Sequence, residues 1–82
     1  MKFLIEWYRD PEHLQTVTKL LEKWKQPKDW KVPFPAHYCA ASSRGFFVLE
    51  VDSAETIQKG LEPFLDYVDF VVTPILPLFT ED

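Results

Sequence analysis

Residues 45–52 read Gly-Phe-Phe-Val-Leu-Glu-Val-Asp, and this stretch decides the fold. It predicts a central β-strand, because it is rich in aromatic and β-branched residues and begins at a glycine that can end a turn. The stretch is apolar on both faces, and such a strand must be covered on both faces. We expect helices of the same chain to cover one face and a second copy of the chain to cover the other.

The composition is that of one small folded domain. The chain has 82 residues, of which 46% are hydrophobic and 16% aromatic, and this excludes a disordered chain. A domain of this size buries only roughly 60 to 65% of its unfolded surface, so dimerisation would add to its stability. We expect residues 1–82 to form a single domain that associates as a homodimer.

Charge and cysteine content limit the partners and the compartment. The net charge of −4 disfavours nucleic-acid binding, which depends on a basic surface. Cys39 is the only cysteine, so an intrachain disulfide is ruled out and a reducing compartment is favoured. The sequence shows no signal-peptide core and no apolar run of the roughly 20 residues that a membrane span needs. We expect a cytoplasmic protein that binds neither membranes nor nucleic acid.

Two helices are predicted from capping signals and periodicity. Asp10 and Pro11 are typical of an N-cap and a first helical position. Ser53 caps the second helix, which should end near Glu62 because the ring of Pro63 clashes with the preceding turn. The apolar face of the first helix repeats at steps of three and four and comprises Leu14, Val17, Leu20, Leu21 and Trp24.

The other strands are predicted at residues 3–8, 37–41 and 69–73. Residues 25–36 contain three prolines, so we expect an irregular connection there. We interpret its Trp30 and Phe34 as a cover for the core and its lysines as a solvated rim, in preference to a nucleic-acid surface. The apolar, proline-interrupted tail at residues 75–79 is expected to pack across a partner subunit.

Residues 37–41 and 45–52 should form a β-hairpin in which Gly45 supplies a positive φ. Two registers satisfy this pattern. A four-residue loop places His37 opposite Glu50, whereas a three-residue loop with a bulge at Gly45 places Tyr38 opposite Glu50.

The predicted fold class is α+β. The order of strand, helix, strand, strand, helix, strand is the ferredoxin-like βαββαβ arrangement, with one antiparallel four-stranded sheet and both helices on one face. The other face would be open and apolar, and a two-fold dimer that packs sheet on sheet would close it. Its apolar residues are Leu4, Tyr8, Phe46, Val48 and Val71.

Four short runs carry a family resemblance: AHY at residues 36–38, DSAE at 52–55, LEP at 61–63 and YVDFV at 67–71. They resemble the dimeric α+β barrel superfamily. Within it the chain is most similar to a small bacterial and archaeal family of unknown function, and more loosely to muconolactone isomerase. The superfamily includes cofactor-free monooxygenases, haem-degrading proteins, chlorite dismutases and regulators that only bind, so the resemblance implies a fold and no single chemistry.

A candidate acid–base site is centred on Glu50. A carboxylate in the middle of a central strand is costly to bury unless it is paired, and either hairpin register supplies His37 or Tyr38 as the partner. A pair of this kind could be catalytic or could only stabilise the dimer. The residues expected to contact a ligand in the barrel cavity are Glu6, Tyr8, Phe46 and Val48.

The sequence predicts no metal site and no cofactor. His13 and His37 lie on different elements, and the chain has neither a Cys-x-x-Cys pair nor a glycine-rich phosphate loop. Cys39 is interpreted as a small buried apolar residue in preference to a nucleophile. Three functions stay open: a small-molecule enzyme resembling an isomerase or monooxygenase, a ligand-binding or sensory module for a small apolar or aromatic molecule, and a structural homodimer.

Overall fold

The computed structural model of the protein describes residues 1–79. Four strands form one antiparallel sheet in the order β2-β3-β1-β4, and two helices lie on one of its faces. This confirms the predicted α+β class, and the strand order is that of a ferredoxin-like domain. The elements are β1 (Lys2–Arg9), α1 (Leu14–Lys23), β2 (Lys31–Tyr38), β3 (Arg44–Glu50), α2 (Ala54–Leu61) and β4 (Val68–Ile75).

The core lies on the side of the sheet that carries the helices, which we call the helix side. Every second residue of β1 and β3 points to this side, and Ile5 and Leu49 are fully buried there. α2 is held against these strands by Ile57 and Leu61, whereas α1 contributes only Val17 to the buried core. The opposite side of the sheet, which we call the open side, has no cover from residues 1–79.

The helix ends follow the local signals with one difference. The Ser53 hydroxyl accepts a hydrogen bond from the backbone N–H of Thr56 at 3.4 Å, and α2 ends before a 3₁₀ turn (Glu62–Phe64) that contains the predicted proline break. Asp10 has the extended backbone of an N-cap but makes no side-chain capping bond. The chain instead enters α1 through a 3₁₀ turn (Pro11–His13).

The second strand is present, but its predicted bounds were wrong, and so was the irregular connection predicted up to residue 36. β2 begins at Lys31, six residues before the predicted start, and ends at Tyr38. It is an edge strand that pairs only with β3, so its unpaired edge tolerates proline, and the pairing shifts register on both sides of Phe34. Phe34 therefore lies opposite Val48 on the open side and is 41% exposed, whereas Trp30 is buried in the core as predicted.

Neither predicted hairpin register is present. His37 lies opposite Phe46 and Tyr38 opposite Gly45, so the loop is longer than expected. The residue with positive φ is Ala41, at 54°, and no glycine in residues 1–79 has one. Gly45 is required for a different reason, since a Cβ there would collide with the indole ring of Trp7 and the carbonyl oxygen of His37.

The predicted open side is confirmed for the strands. Leu4 and Val48 are half-buried, and Val71 is 46% exposed. β4 extends beyond the predicted strand to Ile75, after which the chain leaves the sheet with three exposed apolar side chains, Leu76, Leu78 and Phe79. Among the described residues, neither helix has the length and apolar character that a membrane crossing requires.

Candidate functional site

A cavity of about 370 Å³ lies between α1 and the helix side of the sheet. It exists because α1 is incompletely packed on the strands: Leu21 lines the cavity and is 48% exposed, although its spacing predicts a buried position. Tryptophan and phenylalanine side chains dominate the wall, six in all, and they include all three tryptophans of the chain. They are Trp7, Trp24, Trp30, Phe47, Phe64 and Phe70.

Two of the tryptophans are anchored to α2. The Trp24 indole N–H donates to the carbonyl oxygen of Gly60 at 2.9 Å, and that of Trp30 donates to the carbonyl oxygen of Thr56 at 3.3 Å. Gly60 also provides the space for Trp30, because a Cβ at this position would collide with the indole ring. Since both N–H groups are satisfied by the protein, these rings offer the cavity mainly apolar surface.

The third tryptophan forms the sheet side of the wall. Trp7 extends over Gly45, and its ring centroid lies 6.1 Å from that of Phe47 and 5.9 Å from that of Tyr38. The contact with Tyr38 is edge to face, a preferred geometry for aromatic pairs. Tyr38 thereby marks the border of the cavity at β2.

Few polar side chains line the cavity. His37 borders the cavity at β2, but its ring is stacked on the open side and its Nδ1–H donates to the carbonyl oxygen of Pro35 at 2.7 Å. The Gln26 amide donates to the carbonyl oxygen of Trp30 at 3.5 Å. Arg9 differs from both, because its buried Nε has no hydrogen-bond partner among residues 1–79. Arg9 is also the only charged residue that lines the cavity in this part of the chain.

The predicted acid–base pair is not assembled. Glu50 lies on the open side, opposite Lys31 on β2 and Lys2 on β1. His37 is paired four residues further along β3, a displacement of roughly 13 Å. The pairing was wrong because it depended on the hairpin register. Tyr38 lines the cavity on the helix side, the His37 ring stacks on Phe34 and Phe46 on the open side, and Glu50 does not line the cavity.

The residues predicted to contact a ligand share the open side. Glu6 lies between Phe46 and Val71, and Tyr8 lies between Arg44 and Asp69. An aromatic stack extends this surface onto β2, with ring centroids 4.7 Å apart for Phe34 and His37 and 5.6 Å apart for Phe34 and Phe46. None of Glu6, Tyr8, Phe46 and Val48 lines the cavity on the helix side.

Arg44 and Cys39 lie next to each other at the hairpin. The pKa of the Arg44 guanidinium is raised above its ordinary value, mainly by a hydrogen bond to the Cys39 side chain, with further electrostatic contributions from Cys39 and then Tyr8. Arg44 is exposed, so this contact is open to solvent. Cys39 is half-buried and unpaired.

One cluster of side chains has the composition of a metal site. Ligand atoms of Asp10, Glu12 and His13 lie within 4.8 Å of one another at the start of the first helical segment. Asp10 and Glu12 are exposed, and the His13 ring lies 3.6 Å from the Glu12 carboxylate. Exposed acidic groups of this kind are common without an ion, so the cluster does not identify a metal site.

Sequence reasoning did not find the cavity or Arg9. The two-residue period of β1 places Arg9 on the same face as Phe3, Ile5 and Trp7, so the face on which Arg9 lies could be predicted from the sequence. The cavity beside Arg9 could not be predicted, because it results from the angle and distance at which α1 packs. Three tryptophans within residues 7–30 were the one compositional signal of a large aromatic wall.

A family model described as a domain of unknown function (DUF3303) matches residues 1–78. The match spans nearly the whole chain, so the protein belongs to this family. Comparison with curated proteins gave no match. The predicted relation to a family of unknown function is confirmed at this level, and assignment to the dimeric α+β barrel superfamily stays a prediction.

Proposed function

We propose that this member of the DUF3303 family binds a small apolar or aromatic molecule in the cavity between α1 and the sheet. The observation that carries the proposal is the wall of three tryptophans and three phenylalanines around about 370 Å³. Ligand sites typically enclose about 300 to 1,000 Å³ and combine apolar walls with a few polar groups. The location differs from the one expected from the sequence, which lay between the sheets of two subunits.

Flat ring systems fit this wall best. Trp24 and Trp30 lie 5.7 Å apart between ring centroids at an interplanar angle of 59°, and Phe64 meets Trp24 edge to face at 5.9 Å. Rings in these orientations present both faces and edges, which are the surfaces that a planar aromatic ligand contacts favourably. The indole N–H groups of Trp24 and Trp30 already donate to backbone carbonyl oxygens. The few other polar side chains must therefore orient the ligand.

Binding without turnover is favoured over an isomerase-like or monooxygenase-like enzyme. The acid–base hypothesis needed Glu50 beside His37 or Tyr38, and the register separates them. Tyr38 is retained as a proposed ligand contact because it lines the cavity, whereas the His37 ring stacks on Phe34 and Phe46 on the open side. The cavity in turn favours a ligand-binding or sensory module over a purely structural homodimer, and the single Cys39 supports a cytoplasmic location.

We also propose that the protein forms a homodimer, in which the open sides of two subunits pack together as a dimeric α+β barrel. The middle of the open side is mostly apolar, with Glu6 as its one carboxylate among residues 1–79, and its two ends carry both signs of charge: Lys31, Glu50 and Lys2 form one cross-strand row, and Arg44, Tyr8 and Asp69 form the other. In a two-fold interface the same surface patch of each subunit faces its own copy. A row that carries both signs of charge can therefore place positive side chains opposite negative ones. The exposed tail residues Leu76, Leu78 and Phe79 would then pack across the partner.

Calorimetric titration with 2-naphthamide, a neutral planar probe, tests the ligand site. Leu21 and Leu14 are a matched pair, since both lie on α1 and both are 48% exposed, but only Leu21 lines the cavity. We expect Leu21→Trp to fill the cavity and weaken binding about tenfold or more, equivalent to about 1.4 kcal/mol, and Leu14→Trp to leave it unchanged. Absence of binding to the wild type, or equal binding by both variants, would contradict the proposal.

A further inference from the structure

We infer that the cavity ligand is an aromatic anion, and that the Arg9 guanidinium binds its charged group. This inference rests on the proposed ligand-binding function and names the chemical class of the ligand. It follows from the position of Arg9, the one charged side chain that residues 1–79 contribute to a mostly apolar wall.

Arg9 is placed at the cavity by the strand pattern. It is the last residue of β1, on the face that also carries Trp7, and it lies opposite the buried Val68 of β4. Its backbone N–H donates to the carbonyl oxygen of Ser43 at 3.1 Å, which fixes the strand end beside the hairpin. From this anchored backbone position Arg9 lines the cavity.

The hydrogen-bonding capacity of the Arg9 side chain is not satisfied by other residues within 1–79. Its Nε is buried and has no hydrogen-bond partner there, and no carboxylate of these residues lies within 4.0 Å of the guanidinium. An unpartnered buried donor is costly, and more so when it belongs to a charged group. A carboxylate can accept two N–H groups of a guanidinium together in a bidentate pair.

The surrounding charges determine the side from which an anion can approach. Arg9 also borders a polar recess that contains Asp10, Asp66 and Asp69, and these carboxylates are exposed. They repel an anion on that side. On the cavity side the wall is mostly apolar, and a charge pair is stronger beside apolar, low-dielectric surroundings than in bulk water. The geometry therefore favours a planar ring system in the cavity whose carboxylate meets Arg9.

Calorimetry with 2-naphthoate and 2-naphthamide tests this inference, because the two probes share a ring system and differ in charge. We expect the wild type to bind 2-naphthoate about tenfold or more tightly than 2-naphthamide. Arg9→Gln should remove this preference and keep the affinity for 2-naphthamide. Arg44→Gln is the matched control, since it changes the net charge equally at the only other arginine, on the open side, and should keep the preference.

The Arg Nε–H signals in a ¹⁵N-correlated NMR spectrum give a readout that does not require the Arg9 variant to be stable. The chain has two arginines, so Arg44→Gln alone assigns both signals. We expect 2-naphthoate, but not 2-naphthamide, to shift the signal of Arg9.

The outcomes separate this inference from the proposed function. If both probes bind the wild type equally, if the preference survives in Arg9→Gln, or if bound 2-naphthoate leaves the Arg9 signal unchanged, the inference is overturned while the ligand site stands. If neither probe binds, the inference and the proposed function both fail.

Discussion

The helix side and the open side of the sheet are made by the same four strands, yet they are completed in different ways. The helix side contains fully buried residues, Ile5 and Leu49, but α1 leaves a cavity beside them. The open side is half-exposed and carries charges of both signs at its two ends. A covered side with a gap suits a small molecule, whereas an uncovered side without a gap suits a second protein surface.

The two sides should differ most in what they contribute to the stability of a single subunit. A leucine-to-alanine substitution removes the same atoms at Leu49 and at Leu4, but on opposite sides of the sheet. Leu49 is fully buried on the helix side, and Leu4 is half-buried on the open side. We expect Leu49→Ala to lower the free energy of unfolding by about 2 to 5 kcal/mol, because it leaves a cavity in packed surroundings. Urea denaturation of dilute protein measures this.

Leu4→Ala is the control for that experiment. In dilute protein we expect it to cost clearly less than Leu49→Ala, and its cost should rise with protein concentration as the open side becomes buried in a dimer. Equal costs in dilute protein would mean that the open side is as well packed in the monomer as the helix side, and the contrast between the two sides would be lost.

The sequence correctly predicted the features that depend on interactions between residues close together in the chain. Ser53 and Pro63 bound α2 because a hydroxyl cap and a missing N–H act within a turn of their own position. The two-residue period likewise predicted which residues of β1 and β3 face the core.

Other features depend on the position of an element in the whole fold. β2 contains Pro33 and Pro35, which argue against a strand unless the strand is at an edge, and its edge position is set by the rest of the sheet. The face of α1 was predicted from spacing, but the spacing does not reveal how closely a helix approaches the sheet. The cavity and the role of Leu21 could therefore not be predicted.

Association is the second place where the two sides should differ. Val71 and Val72 are neighbours on β4 with 46% and 40% exposure, but Val71 lies opposite Glu6 on the open side and Val72 opposite Ile5 on the helix side. Light scattering at micromolar concentration should give about twice the chain mass of 9.7 kDa. We expect Val71→Glu to weaken the dimer about tenfold or more, because it places an unpaired charge in the interface beside Glu6.

Val72→Glu is the matched control for the dimer and should leave its dissociation constant unchanged. A wild-type mass of one chain would remove the proposed dimer. Equal weakening by both variants would indicate that the charge acts through the stability of β4 and not through one side of the sheet.

The smallest expected effect concerns Glu50, which was the centre of the acid–base hypothesis and whose neighbours across the strands are Lys31 and Lys2. In this row its carboxylate has the surroundings of a surface charge, so Glu50→Gln should lower the free energy of unfolding by less than about 1 kcal/mol. The difference should shrink further as salt screens the row. Lys31→Gln should have an effect of similar size, and the double variant should lose less stability than the sum of both single variants if the two charges interact.

Binding of 2-naphthamide should be unchanged in Glu50→Gln, because the cavity is on the other side of the sheet. Loss of that binding in a variant that melts like the wild type would return Glu50 to the ligand site and would end the separation of the two sides.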